Sequence, residues 1–137
     1  MAALVDTSAI LAAADSADLN HAAAVAWLER VGEPLLLGAL TLAEVDHVLQ
    51  RELGPRATLA LLGSLTSGAI RLVAPTDADL DRAAELLAEA AEHRPRLSEA
   101  VLVATAERLG VRRVATFDRR PIAIFRPSHV RALDLEP

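Results

Sequence analysis

A chain of 137 residues with a formal net charge of −5, 53% hydrophobic but only 2% aromatic, describes a single domain over residues 1–137 whose core is built from Leu, Val, Ile and Ala. The chain has no cysteine, which removes disulfide frameworks, thiolate metal sites and cysteine nucleophiles; all 14 cationic side chains are arginine, which removes Walker-type phosphate loops, Schiff-base catalysis and protein kinases. The acidic balance argues against broad adhesion to nucleic acid, and the apolar runs fall short of the roughly 18 residues of a membrane span or the pattern of a secretion signal, so a cytoplasmic protein with no membrane partner is expected.

In chain order, "ALV" at 3–5 predicts a short strand and "TSAILAAA" at 7–14 a helix entered directly from it. "DLNHAAAVAWLERVG" predicts a helix with Ala24, Trp27, Leu28 and Val31 at helical spacing and Gly32 as its stop. "PLLLG" at 34–38 is a second strand, and "TLAEVDHVLQREL" at 41–53 a helix ended by Gly54 and Pro55. The helix "RATLALLGSLTSG" leads into the strand "AIRLVAP", and then comes a long amphipathic helix over "TDADLDRAAELLAEAAEH", with Leu80, Ala84, Leu87 and Ala91 as its apolar side. "LSEAVLVATAERLG" is a helix ended by Gly110, "RRVATFD" a strand ending at Asp118, and "HVRALDL" a last short strand. Strands alternating with helices, without hairpin signals, indicate an α/β fold: a three-layer α/β/α sandwich around a short, mostly parallel sheet.

Open parallel sheets bind ligands beyond the carboxyl ends of their strands. Asp6 follows the first strand and Asp118 the late one, so both emerge at that edge. Glu44, in the first turn of the helix expected from near Thr41, and Glu99, in the first turn of the helix expected from Ser98, come to the same edge, because helix N-termini face it. Each acid taken singly has a structural reading. "TLAE" is a capping box with Thr41 as N-cap, Glu99 after Ser98 is similar, "TDAD" at 76–79 makes the same cap with no functional claim, and Asp6 and Asp118 suit a cap and a turn. Together the four repel one another and would take up protons unless positive charge sat among them.

A divalent cation supplies that charge. Mg²⁺ or Mn²⁺ takes oxygen ligands, keeps several waters and needs only a few carboxylates when phosphate oxygens complete its shell, and the chemistry it suits is phosphodiester hydrolysis. His21, His47, His93 and His129 lack paired metal-ligand spacing, no GxSxG nucleophile elbow occurs, and no glycine-rich dinucleotide loop is present. Residues 108–120 hold five of the 14 arginines, read either as a solvated surface or as a phosphate-contacting edge.

"LVDTSAIL", "TLAEVDHVL" and "LSEAVLVATAERLGVRRVATFDRR", in that order, resemble a PIN domain, specifically the small toxin ribonucleases of VapBC toxin-antitoxin pairs. The resemblance implies a compact parallel sheet and a metal-dependent endoribonuclease using Mg²⁺ or Mn²⁺. It implies RNA as substrate, a homodimer, and a cognate VapB-like antitoxin whose C-terminal segment covers the cleft. By position, Asp6 matches the first metal ligand, Glu44 the second acid and Asp118 the acid after the late strand; Ser8 and Thr116 match supporting hydroxyls, and Arg112, Arg113, Arg119 and Arg120 would hold RNA phosphates. The third acid departs from the pattern: Glu99 stands where the family has Asp, and its extra methylene displaces the oxygens by about 1 Å, an error that could cost about a hundredfold in rate.

A haloacid-dehalogenase-type phosphatase requires DxD, where this chain has Ser8, and a receiver domain requires a late-strand lysine. Glu99 keeps one other class open: a catalytically weak or inactive PIN scaffold that binds an antitoxin or RNA.

Overall fold

The computed structural model describes all residues 1–137. Five short strands, β1 (Ala3–Val5), β2 (Leu35–Gly38), β3 (Ile70–Val73), β4 (Arg113–Ala115) and β5 (Asp134–Glu136), form one sheet in the order β3-β2-β1-β4-β5 with every pair parallel. Between them run α1 (Thr7–Ala14), α2 (His21–Arg30), α3 (Ala39–Glu52), α4 (Pro55–Thr66), α5 (Asp77–Glu89), α6 (Leu97–Leu109) and α7 (Arg120–Ala123). The strand order runs outward from β1 through β2 to β3 and then returns to β4 on the other side of β1. The crevice between β1 and β4 is therefore the point where connections diverge to opposite faces, the position that receives ligands in such sheets.

Strand alternation builds the three layers. Ala3, Val5, Leu37 and Ala115 point to one face and pack with Ile10, Trp27, Val45, Leu49 and Leu61 of α1 to α4. Leu4, Leu36 and Val114 point to the other and pack with Ala83, Leu86, Val103 and Ile122 of α5, α6 and α7. Of the nine residues of α6 from Ser98 to Ala106, all but Glu99 are buried, which is why this helix reads as apolar all round. It ends at Gly110, whose left-handed φ of 67° lets Val111 N donate back to the Ala106 carbonyl (2.9 Å).

Four local expectations need correction. Helix α3 starts at Ala39 rather than Thr41, with Gly38 as an N-cap that contributes no side chain; Thr41 is buried inside the helix and caps nothing. The buried side of α5 is Asp79, Ala83, Leu86 and the following Ala90, one position off the expected stripe, and Leu80 is 44% exposed. The register follows Asp79, which enters the interior because Thr76 closes a capping box with it and Arg108 Nε of α6 donates to both its oxygens (2.9 and 3.0 Å). Strand β5 occupies 134–136 rather than 129–135, and α7 is a short helix the sequence pattern did not announce.

Candidate active site

Asp6 leaves β1 in extended conformation, and its amide donates to the Ala115 carbonyl of β4 (2.9 Å), which ties the residue to the crevice floor. Its carbonyl accepts from Ala9 N and Ile10 N at the start of α1, so the backbone holds the N-cap position, yet the side chain makes no capping bond. The carboxylate is instead turned to a set of hydroxyls. Thr116 Oγ1 donates to Asp6 Oδ2 (3.0 Å), with Ser8 Oγ 3.5 Å away. Phe117 N donates to Ser8 Oγ (2.9 Å), Ser8 Oγ lies 3.1 Å from Thr116 Oγ1, and Asp118 N donates to Thr116 Oγ1 (3.1 Å). Each hydroxyl has one proton, and one arrangement carries them to the carboxylate: the Phe117 amide donates to Ser8, Ser8 to Thr116, and Thr116 to Asp6 in preference to the Asp118 carbonyl, also 3.1 Å away. Thr116 is wholly buried, so this chain fixes Asp6 from behind.

Glu44 lies in the second turn of α3, too far along for a cap, and both of its oxygens are engaged across the cleft. Thr7 Oγ1 of α1 donates to Oε2 (3.2 Å) and Ser98 Oγ of α6 to Oε1 (2.5 Å). Thr7 and Ser98 were not singled out from the sequence. Their signal was adjacency: each hydroxyl residue is next in sequence to an expected acid, Thr7 to Asp6 and Ser98 to Glu99.

Glu99, at the third position of α6, does make the structural bond anticipated for it: its Oε2 accepts from the Arg96 amide (3.1 Å). Burial raises its pKa above the usual carboxylate value against that hydrogen bond and the Arg96 charge, and the charges of Asp6 and Glu44 push the same way as burial. Asp6 is likewise raised, first by burial and further by Glu44 and Asp118, against the Thr7 amide and Thr116 hydroxyl. Asp118 is exposed at the mouth, its backbone held by Thr116 and its carboxylate free of hydrogen bonds. The four acids thus act on one another electrostatically, and none forms an ion pair.

An all-oxygen, anionic donor set lined by hydroxyls matches a hard divalent cation that retains much of its water. As the side chains stand, no three acidic or imidazole groups close on a single point. The histidines stay outside the set: His21 Nδ1 bonds the Ala12 carbonyl (2.8 Å) and His129 Nε2 the Val111 carbonyl (2.6 Å).

The arginine expectation divides. Arg112 and Arg113 lie at the amino end of β4, opposite the edge where Asp118 emerges, and Arg113 is held by Glu33 (3.0 Å) and Glu136 (2.8 Å), so these two do not flank the cleft. Arg119 and Arg120 directly follow Asp118; Arg119 Nη2 donates to the Pro137 carbonyl (2.7 Å) and Arg120 is exposed without a partner.

Comparison with known proteins places this geometry among relatives. The PIN domain profile matches residues 3–126. The chain is 32% identical over 124 residues to Ribonuclease VapC26 of Mycobacterium tuberculosis, covering 90% of this chain and 92% of that one. Among solved structures it is similar to Mycobacterium tuberculosis VapC20, described as a sarcin-ricin loop cleaving toxin, with a TM-score of 0.82, 25% identity and coverage of 94% and 98%. VapBC2 from Rickettsia felis, solved with a DNA fragment from its promoter, shares the fold at a TM-score of 0.74 and 13% identity, over 99% of this chain and 98% of the other.

Proposed function

Because the chain belongs to the PIN-domain family, we propose that it is an endoribonuclease toxin of a toxin-antitoxin pair, hydrolysing RNA phosphodiester bonds at the crevice between β1 and β4. The observation that carries this reading is the cluster itself: Asp6, Glu44, Glu99 and Asp118 come from four separate elements, repel one another and form no ion pair. Asp6 and Asp118 are the residues to hold Mg²⁺ or Mn²⁺, with Glu44 and Glu99 completing the anionic wall. Bound there, the ion supplies an activated water and charge stabilisation on the phosphate oxygens. Thr116 and Ser8 keep Asp6 at one orientation, and Thr7 and Ser98 do the same for Glu44, so the carboxylates do not need to reorganise when the phosphate arrives.

Partners follow from the surface. An apolar groove of about 260 Å³ runs between α1, α2 and α4 and ends at Phe117 and Pro137 beside the cleft, a shape suited to an apolar segment of the antitoxin. Leu59 and Leu62 on the open side of α4 are 66% and 44% exposed and suit a homodimer contact. No helix is long and apolar enough to cross a membrane; a cytoplasmic single domain over residues 1–137 belongs to the same proposal.

In the test, purified protein is incubated with RNA and Mg²⁺ or Mn²⁺. Cleavage that is lost in Asp6→Asn while the circular dichroism spectrum is retained supports the reading, and an undiminished rate in that variant removes Asp6 from the mechanism. The second reading, a weak or inactive scaffold, is favoured by one observation: Glu99 spends an oxygen on the Arg96 amide. Absence of both metal binding and cleavage in the intact protein would select it.

A further inference from the structure

A groove of about 450 Å³ opens on the α5–α6 side of the acidic cleft, lined by the carboxylates Glu92, Glu99 and Asp118 and by Arg94, Arg96 and Arg120. The three guanidinium groups form no ion pair, whereas Arg51, Arg82, Arg108 and Arg113 are all paired within the fold. In a chain of net charge −5 this sets three cations with no partner inside the fold where a polyanion would have to approach carboxylates.

The backbone supplies a second observation. Arg94 has φ 50° and ψ 55°, and is the one residue other than glycine in the left-handed region. It also precedes Pro95, and a following proline disfavours helical ψ values for the residue before it. A glycine would relieve the first penalty at no steric cost, yet the position holds an exposed arginine. Backbone strain of this kind clusters at ligand clamps and active sites.

We propose that Arg94, Arg96 and Arg120 form a phosphate-binding subsite that holds the backbone of single-stranded RNA beside the acidic cleft, anchoring nucleotides that flank the bond to be cut. The inference rests on the ribonuclease reading for its substrate class. Planar guanidinium groups grip phosphate oxygens through paired N–H donors, and such contacts position a strand without reading its sequence. They also offset the repulsion between the phosphates and Glu99 and Asp118.

The test measures binding of a fluorescein-labelled oligouridine by anisotropy over a salt series, in EDTA so that no hydrolysis occurs. Arg96→Met and Arg120→Met are each expected to weaken binding roughly tenfold and to lower the slope of log affinity against log salt by about 0.7. Arg94→Gly is expected to weaken RNA binding while its thermal midpoint stays level or rises, a combination that loss of structure does not produce. Unchanged affinity and slope in Arg94→Gly and in the Arg96→Met/Arg120→Met double variant overturns the subsite, as does failure of the intact protein to bind the oligonucleotide. Loss of binding to an oligoglutamate peptide with RNA binding intact also overturns it, in favour of an acidic protein segment. Arginine-dependent RNA binding by a protein that cuts no RNA with Mn²⁺ sustains the subsite and defeats the ribonuclease reading alone.

Discussion

Replacing Thr116 by valine keeps the shape of a wholly buried side chain and deletes the hydroxyl on which the cleft is hung. That hydroxyl accepts from the Asp118 amide (3.1 Å), lies 3.1 Å from Ser8 Oγ and donates to Asp6 Oδ2 (3.0 Å). Valine leaves the Asp118 amide without its acceptor and takes from Asp6 the nearer of its two hydroxyl neighbours; Ser8, at 3.5 Å, recovers part of the second loss. An orphaned donor and a weakened bond to a charged group together cost about 2–4 kcal/mol, or about 10 °C in the midpoint of thermal unfolding at this size. Activity reports on the same bond. Burial, Glu44 and Asp118 already hold the Asp6 pKa above the ordinary value, and the Thr116 hydroxyl is one of the groups opposing them. Its removal raises the pKa further, so the acid limb of kcat/KM moves to higher pH, and Thr116→Ser moves it back. The assay is RNA cleavage across pH beside thermal denaturation. A valine variant with the wild-type acid limb and stability within about 0.5 kcal/mol would refute the hydroxyl chain as the device that holds Asp6.

Glu99→Asp shortens the arm that now reaches back to the Arg96 amide; if the site lacks activity because of that methylene, kcat/KM rises tenfold or more, within the roughly hundredfold that a 1 Å placement error costs, and steady-state cleavage kinetics measure it. Asp79 is buried, which alone would raise its pKa, but the Arg108 guanidinium and the Thr76 amide more than offset this and hold it below the ordinary carboxylate range. A lowered folded-state pKa contributes stability that is fully present above the unfolded value and disappears as pH falls through the folded one, so Asp79→Asn is expected to destabilise at neutral pH by about 1–3 kcal/mol, with the difference closing in acid; urea titrations at several pH values test this. Leu86→Ala should cost about 2–5 kcal/mol and Leu80→Gln under about 0.5 kcal/mol by denaturant unfolding, because Leu86 is fully buried and Leu80 is 44% exposed.

The parts of the fold legible in the sequence are those governed by local chemistry. The break between β1 and α1 at Asp6, the stop of α6 at Gly110 and the box of Thr76 with Asp79 all depend on residues within one turn of each other. What was hidden depends on distant partners. The face of α5 is set by Arg108, twenty-nine residues beyond Asp79, and a charged residue on a buried face defeats any hydrophobic count. The start of α3 was masked by Thr41, whose hydroxyl imitates a cap while Gly38 does that work with backbone alone. Arginine clustering in the sequence misplaced Arg112 and Arg113, because a strand separates them from Asp118 and carries them to the opposite edge, whereas Arg94 and Arg96, in a connector that had drawn no attention, line the groove. For the candidate site, Asp6, Glu99 and Asp118 were visible through their place at strand and helix ends, whereas Glu44 was expected in a first turn and lies in the second, and the hydroxyls Thr7 and Ser98 act across the chain on it and leave no local pattern.

The most direct measurement is a calorimetric titration of Mn²⁺ into the metal-free protein, repeated with Asp6→Asn and paired with thermal melts. The expected result is binding by the native chain, with stabilisation of about 2.7 kcal/mol at a hundredfold excess over Kd. The variant should bind no metal, yet melt no lower than the metal-free native protein, since one of the mutually repelling charges has gone. A native protein that takes up no divalent cation, or an Asp6→Asn protein that binds it equally well, would contradict the claim that these carboxylates are gathered to hold one.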